Sequence, residues 1–141
     1  MPTPTSRTLA VLRSEGWTVV IVEHWNPYAK IRQDLFGLFD LIAIKVGEPG
    51  VLGVQCCAGS GHAAHRDKMQ ASPILPIWWQ TGNRAVIYSW AKQGKAGSRK
   101  VWTLRTERIY PPLESKNGVD TRRKGNPPVL QPGDTDLEML D

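Results

Sequence analysis

Apolar residues in this chain fall into short bursts whose spacing mostly marks strands. Residues 18–25 (TVVIVEHW) set Val19, Ile21, Glu23 and Trp25 on one side of a first strand and Val20, Val22 and His24 on the other. Residues 39–46 and 51–57 are two further runs of aliphatic and β-branched residues. The Gly-Glu-Pro-Gly stretch at 47–50 parts them, predicting a hairpin. Residues 84–90 (RAVIYSW) predict a fourth strand. Residues 100–108 (KVWTLRTER) predict a fifth, edge-like one, with Val101, Thr103 and Arg105 alternating against Trp102, Leu104 and Thr106.

Helical signals frame these strands. Thr5 or Ser6 can cap a helix running to about Ser14, with Leu9 and Leu12 on its buried side. Gly16 suits the left-handed position that would fold Trp17 back onto Leu12. Ala-Gly-Ser-Gly makes a corner before a second helix at 62–70. Pro73 and Pro76 confine residues 74–80 to a short turn or helix, anchored by Trp78 and Trp79. Asn26-Pro27 ends the first strand, and residues 28–33 read as a basic loop. The order helix, three strands, helix, two strands predicts an α/β protein with a mixed central sheet flanked by helices.

The hairpin register carries the first chemical expectation. Closure between Val46 and Val51 makes paired residue numbers sum to 97, setting Asp40 opposite Cys57 and Ile42 opposite Gln55. Asp40, Gln55 and Cys57 then share a face, with Asp40 and Gln55 as diagonal neighbours. A carboxylate and an amide oxygen side by side on a buried hairpin form a metal-site geometry, which a one-residue slip would destroy.

Length and charge narrow the classes. One domain is expected from 141 residues. No apolar run approaches a membrane span, and MPTPTSRTLAVL is too short and polar for a signal segment. The two cysteines, Cys56 and Cys57, are adjacent and would face opposite ways in a strand, so a reducing cytoplasm is the expected location. Residues 1–110 hold fourteen Lys and Arg against seven Asp and Glu. Residues 111–141 hold four against six, have no periodicity, and are expected to be a flexible Pro- and Gly-rich tail. A basic globular part suits a polyanion, and DNA is the expected partner; solubilising surface charge is the plain alternative.

The element order, an Asp opening the second strand and a polar triplet closing the third bring a family into view. Glu23, the run Arg32-Gln-Asp34-Leu-Phe-Gly-Leu-Phe-Asp40, and Gly53-Val-Gln55-Cys-Cys57 resemble the PD-(D/E)XK nuclease superfamily, with its restriction-endonuclease-like αβββαβ core. The likeness covers residues 5–107 and is nearest to small phage and bacterial members of the Holliday-junction-resolvase and VRR-nuclease type. It implies Mg²⁺- or Mn²⁺-dependent cleavage of DNA phosphodiester bonds, at branched or damaged structures. Asp40 takes the place of the motif's acid, Gln55 that of the second acid, and Cys57 that of the lysine. Glu23 would add a second carboxylate, making Asp40, Gln55 and Glu23 the metal ligands. Many relatives are dimers, so a homodimer is also kept open.

Two departures go with the match. Gln55 offers a carbonyl oxygen but no charge, and Cys57 supplies no ammonium. Arg66 or Lys68 on the second helix could supply the missing cation, Lys68 being the catalytic candidate. Lys30, Arg32, His62, Arg66 and Lys68 are the candidate nucleic-acid contacts, with Trp25 and Tyr28 as stacking surfaces. The alternative class is a degenerate nuclease fold that binds DNA or a protein without cutting; a weaker one is an interaction or inhibitor role for the charged tail. Residue by residue, Asp40 can be a solvated turn residue, Glu23 a partner of Lys or Arg, Gln55 a satisfied buried amide and the cysteines small core residues. His62, His65 and Cys57 lack standard zinc spacing.

Overall fold

The computed structural model describes residues 2–112, so the expected tail lies outside the described residues. Five strands form a mixed sheet in the order β1-β4-β5-β6-β7. These are β1 (Thr18–Ile21), β4 (Leu41–Lys45), β5 (Glu48–Ala58), β6 (Arg84–Gln93) and β7 (Val101–Arg108). Pairing is antiparallel throughout except between β5 and β6, which run parallel. That parallel pair needs a crossover, supplied by α2 (His62–Gln70) and α3 (Ile74–Gln80).

The helix α1 (Pro4–Ser14) is capped two and three residues earlier than the predicted Thr5 and Ser6. Thr3 is the N-cap, its hydroxyl accepting from the Ser6 amide while Ser6 Oγ accepts from the Thr3 amide. Pro4 then fits the first helical position, where no N–H is needed. Gly16 adopts φ 93°, and the Trp17 amide returns to the Leu12 carbonyl at 3.0 Å, as the sequence predicts.

The sheet separates two apolar layers. Leu12 of α1 packs with Val19, Leu41, Ala43, Leu52, Val54, Cys56 and Val86. On the opposite face, Met69 of α2 and Leu75 of α3 pack with Leu38, Phe39, Cys57, Ala85, Ile87 and Ile109. Cys56 and Cys57 are thus free, buried thiols facing opposite layers, as strand alternation requires. No helix among the described residues is long and apolar enough to cross a membrane.

Two sequence expectations need correction. The first strand stops at Ile21, and residues 24–33 are neither its end nor a basic loop. They form a separate antiparallel hairpin, β2 (His24–Asn26) with β3 (Ile31–Gln33). The break has a local cause: the Asp40 carbonyl takes both the Val22 and Glu23 amides, at 2.9 and 3.3 Å, so two residues face one and the chain bends away. The central hairpin also closes earlier than predicted. Lys45 pairs with Glu48, leaving Val46 and Gly47 as a two-residue loop with Gly47 at φ 90°. Leu41 pairs with Val54 and Ile42 with Gly53, so the register is displaced by two from the predicted one. A displacement of two preserves the facing of every side chain.

Candidate metal and nucleic-acid site

Asp40 stands where the chain enters β4, and a glycine sets its position. The Phe39 ring lies over Gly53, where an added Cβ would come within 2.6 Å of the ring. Trp78 of α3 closes over Phe39 with ring centroids 4.7 Å apart. This clamp fixes the backbone beside Asp40, whose amide donates to the Val54 carbonyl at 2.8 Å. Extending the ladder by one residue puts Asp40 opposite Gln55, closer than the predicted diagonal.

The Asp40 carboxyl is only 4% exposed. Its Oδ2 accepts from Gln55 Nε2 and from the Cys56 amide, each at 2.9 Å. Glu23 lies within side-chain hydrogen-bonding reach, and Asp34 acts on the group through its charge. Burial, followed by the bond to Glu23, pushes the Asp40 carboxyl from 3.8 up to about 7, against the opposing pull of the Cys56 amide. Glu23 also meets Arg32, Nη1 to Oε1 at 2.8 Å. Asp40, Gln55 and Glu23 therefore adjoin one another, but Gln55 turns its Nε2 and not its oxygen to Asp40. Asp34, six residues before Asp40 on the approach to β4, acts on the site only through its charge.

Other predicted site residues are placed differently. Gln55 presents Nε2 to Asp40 and to the Cys56 carbonyl, so its amide acts as a donor toward the carboxylate rather than as a second acceptor. Cys57 is buried in the α2 and α3 layer, its thiol pushed up by burial and by the Asp40 charge. His62 is 1% exposed and not a surface contact. Its Nδ1 meets Ser89 Oγ at 2.6 Å and its Nε2 meets Glu107 Oε1 at 2.7 Å, leaving neither ring nitrogen for a metal or phosphate. The cause is position: His62 opens α2 directly above β6 and β7, where Gly59 brings the chain close to Ala91 of the sheet.

Arg66 lies on that same side, 3.5 Å from Glu107 Oε1 and 3.6 Å from Asp67 Oδ1. Gln55 pairs with Ile87 and Ile87 with Glu107. Glu107 is thus two strands beyond Gln55, about 10 Å away at ordinary strand spacing. Arg66 serves Glu107 and does not point back to the hairpin as expected. Lys68 is exposed on α2 and has no ion pair with Asp40 or Glu23 among the described residues. Lys30 is exposed at the β2–β3 turn with φ 55°, and Arg32 borders the carboxyl pair through Glu23.

The oxygen groups gathered here are the two carboxyls, Asp40 and Glu23, and Mg²⁺ typically takes one or two protein carboxylates. Burial first, and the adjoining Glu23 carboxyl second, raise the proton affinity of Asp40. Among the described residues no three His, Cys, Asp or Glu side chains together form a metal-holding group. Comparison of the chain with protein-family models, with curated proteins and with solved structures finds no match in any of the three.

Proposed function

We propose that the chain is a divalent-metal-dependent phosphodiester hydrolase acting on DNA, with a restriction-endonuclease-like core. The observation that carries this reading is the Asp40–Glu23 carboxyl pair beside Gln55. The order α1, β1, β4, β5, α2, β6, with β5 parallel to β6, supports it, because that is the αβββαβ arrangement the resemblance implies. Asp40 and Glu23 are the residues that would hold Mg²⁺ or Mn²⁺, with Gln55 Nε2 orienting the Asp40 carboxyl. A bound ion would polarise the phosphate and lower the pKa of the attacking water. The protein's own part is to hold the two carboxyls together in a largely buried corner and to set Arg32 beside them.

A second reading, a nuclease-like module that binds without cutting, is favoured by specific features. Gln55 adds no charge, Cys57 is a buried thiol, and Arg66 is engaged by Glu107. Cleavage of branched, single-stranded and duplex DNA with Mg²⁺ or Mn²⁺ separates the two readings. Activity in the wild type that disappears in Asp40→Asn supports the hydrolase. Cleavage that survives Asp40→Asn means the chemistry lies elsewhere. An inert wild type with retained DNA affinity supports the binding module.

A further inference from the structure

The β2–β3 hairpin lies outside the main sheet and buries little, yet it carries an unusual surface. Trp25 is 55% exposed and Tyr28 is 97% exposed. An isolated two-stranded hairpin is marginal in water, so this one depends on local ties. Asn26 provides several: its Oδ1 accepts from the Tyr28 and Ala29 amides, and its Nδ2 donates to Gln33 Oε1 at 3.0 Å. Those bonds fix the turn, leaving the Tyr28 ring and Lys30 projecting from its tip.

The pairing orders the remaining groups. Trp25 is directly opposite Arg32, so the two side chains share a face of the hairpin. Arg32 bonds Glu23, and Glu23 reaches Asp40. One continuous path therefore runs from an exposed indole through a guanidinium to the carboxyl pair. Cross-strand partners stand about 5 Å apart, so a flat group on Trp25 would bring an attached anion alongside Arg32. Aromatic planes beside cations are what unpaired nucleotides require: every base has a face to stack, and every nucleotide carries a phosphate.

We propose that the β2–β3 hairpin is a stacking platform for single-stranded nucleic acid. Trp25 and Tyr28 hold bases while Lys30 and Arg32 hold the backbone, leading the strand to Asp40. The proposal deepens the nuclease-fold reading by naming unpaired strands as the segment received there. A duplex keeps its base faces stacked internally and cannot use the two rings.

Fluorescence anisotropy of the full chain in EDTA, with labelled oligothymidine and with a duplex of equal length, tests the platform without cleavage. Wild type is expected to prefer the single strand, with affinity falling as salt rises. Trp25→Ala and Tyr28→Ala should each lower single-strand affinity roughly 5- to 100-fold, with little change for duplex; Trp25→Phe should retain most of it. Because Tyr28 is almost wholly exposed, its variant keeps the test decisive even if Trp25→Ala perturbs the hairpin. Equal losses on duplex and single strand, no loss in either alanine variant, or no single-strand binding by wild type overturns the proposal. Single-strand binding that depends on Trp25, in a protein that cleaves nothing with Mg²⁺, upholds the platform while removing the hydrolase reading.

Discussion

Replacing Asp40 with Asn isolates the cost of keeping a carboxylate in this corner. In the folded protein Asp40 holds its proton up to about pH 7, whereas in the unfolded chain it releases the proton near 3.8. Between these values the folded state binds more protons, so this group's contribution to stability declines as pH rises from about 4 to about 7. Above pH 7 both states are ionised at this site and the loss is complete. The full rise corresponds to an upper limit of about 4 kcal/mol. Proton sharing with Glu23 and screening by Arg32 reduce it, leaving about 1–3 kcal/mol as the expected penalty.

Asn preserves the favourable bonds. Its carbonyl can accept from Gln55 Nε2 and the Cys56 amide, the two donors now on Asp40 Oδ2, and its amide can donate to Glu23. Asp40→Asn should therefore be more stable than wild type by about 1–3 kcal/mol at pH 8 and nearly equal to it at pH 5. Urea unfolding at both pH values measures the difference. Mg²⁺ added at pH 8 should stabilise wild type and leave the variant unchanged, since only wild type retains both charges of the pair. Parallel stability profiles for the two proteins across pH 5–8 would refute the account of a charged, crowded Asp40.

Gly53→Ala should cost about 1–3 kcal/mol, because the new methyl must displace the Phe39 ring; thermal unfolding checks the cost, and loss of Asp40-dependent metal binding checks the displacement. His62→Ala should cost about 2–4 kcal/mol, since it leaves the buried Ser89 hydroxyl and Glu107 without their partner; measured stability close to wild type would contradict a structural role.

How far the site could be read in advance follows from parity. The alternation of residues 39–46 and 51–57 specifies which side chains share a face, and a displacement of two leaves that specification intact. Asp40 and Gln55 met for this reason although the predicted turn was too long. Turn length itself was obscured because Gly47 and Gly50 are both glycine and both adopt positive φ, at 90° and 71°. Only the first shapes the loop; the second lies within β5, where an added side chain would strike the Gly82 carbonyl. The β2–β3 hairpin was invisible for another reason. No turn residue interrupts the run from Thr18 to Trp25, and what ends β1 is the Asp40 carbonyl, outside the segment, which accepts from the Val22 and Glu23 amides.

The basic helix misled because spacing along α2 says which residues are neighbours, not which strand they cover. Arg66 does follow His62 by one helical turn, as predicted, but the crossover carries both over β6 and β7. Glu107, unremarked in the sequence, accepts from His62 and faces Arg66 and Arg105, so it decides where those side chains point. The cation that pairs with Glu23 instead comes from the hairpin whose existence the sequence concealed. Arg32 reaches Glu23 only because the chain turns back after Tyr28 and pairs Trp25 with Arg32. The bulge at Asp40 thus has two effects: it ends β1 where Glu23 can meet Asp40, and it releases the chain that brings Arg32 to the pair.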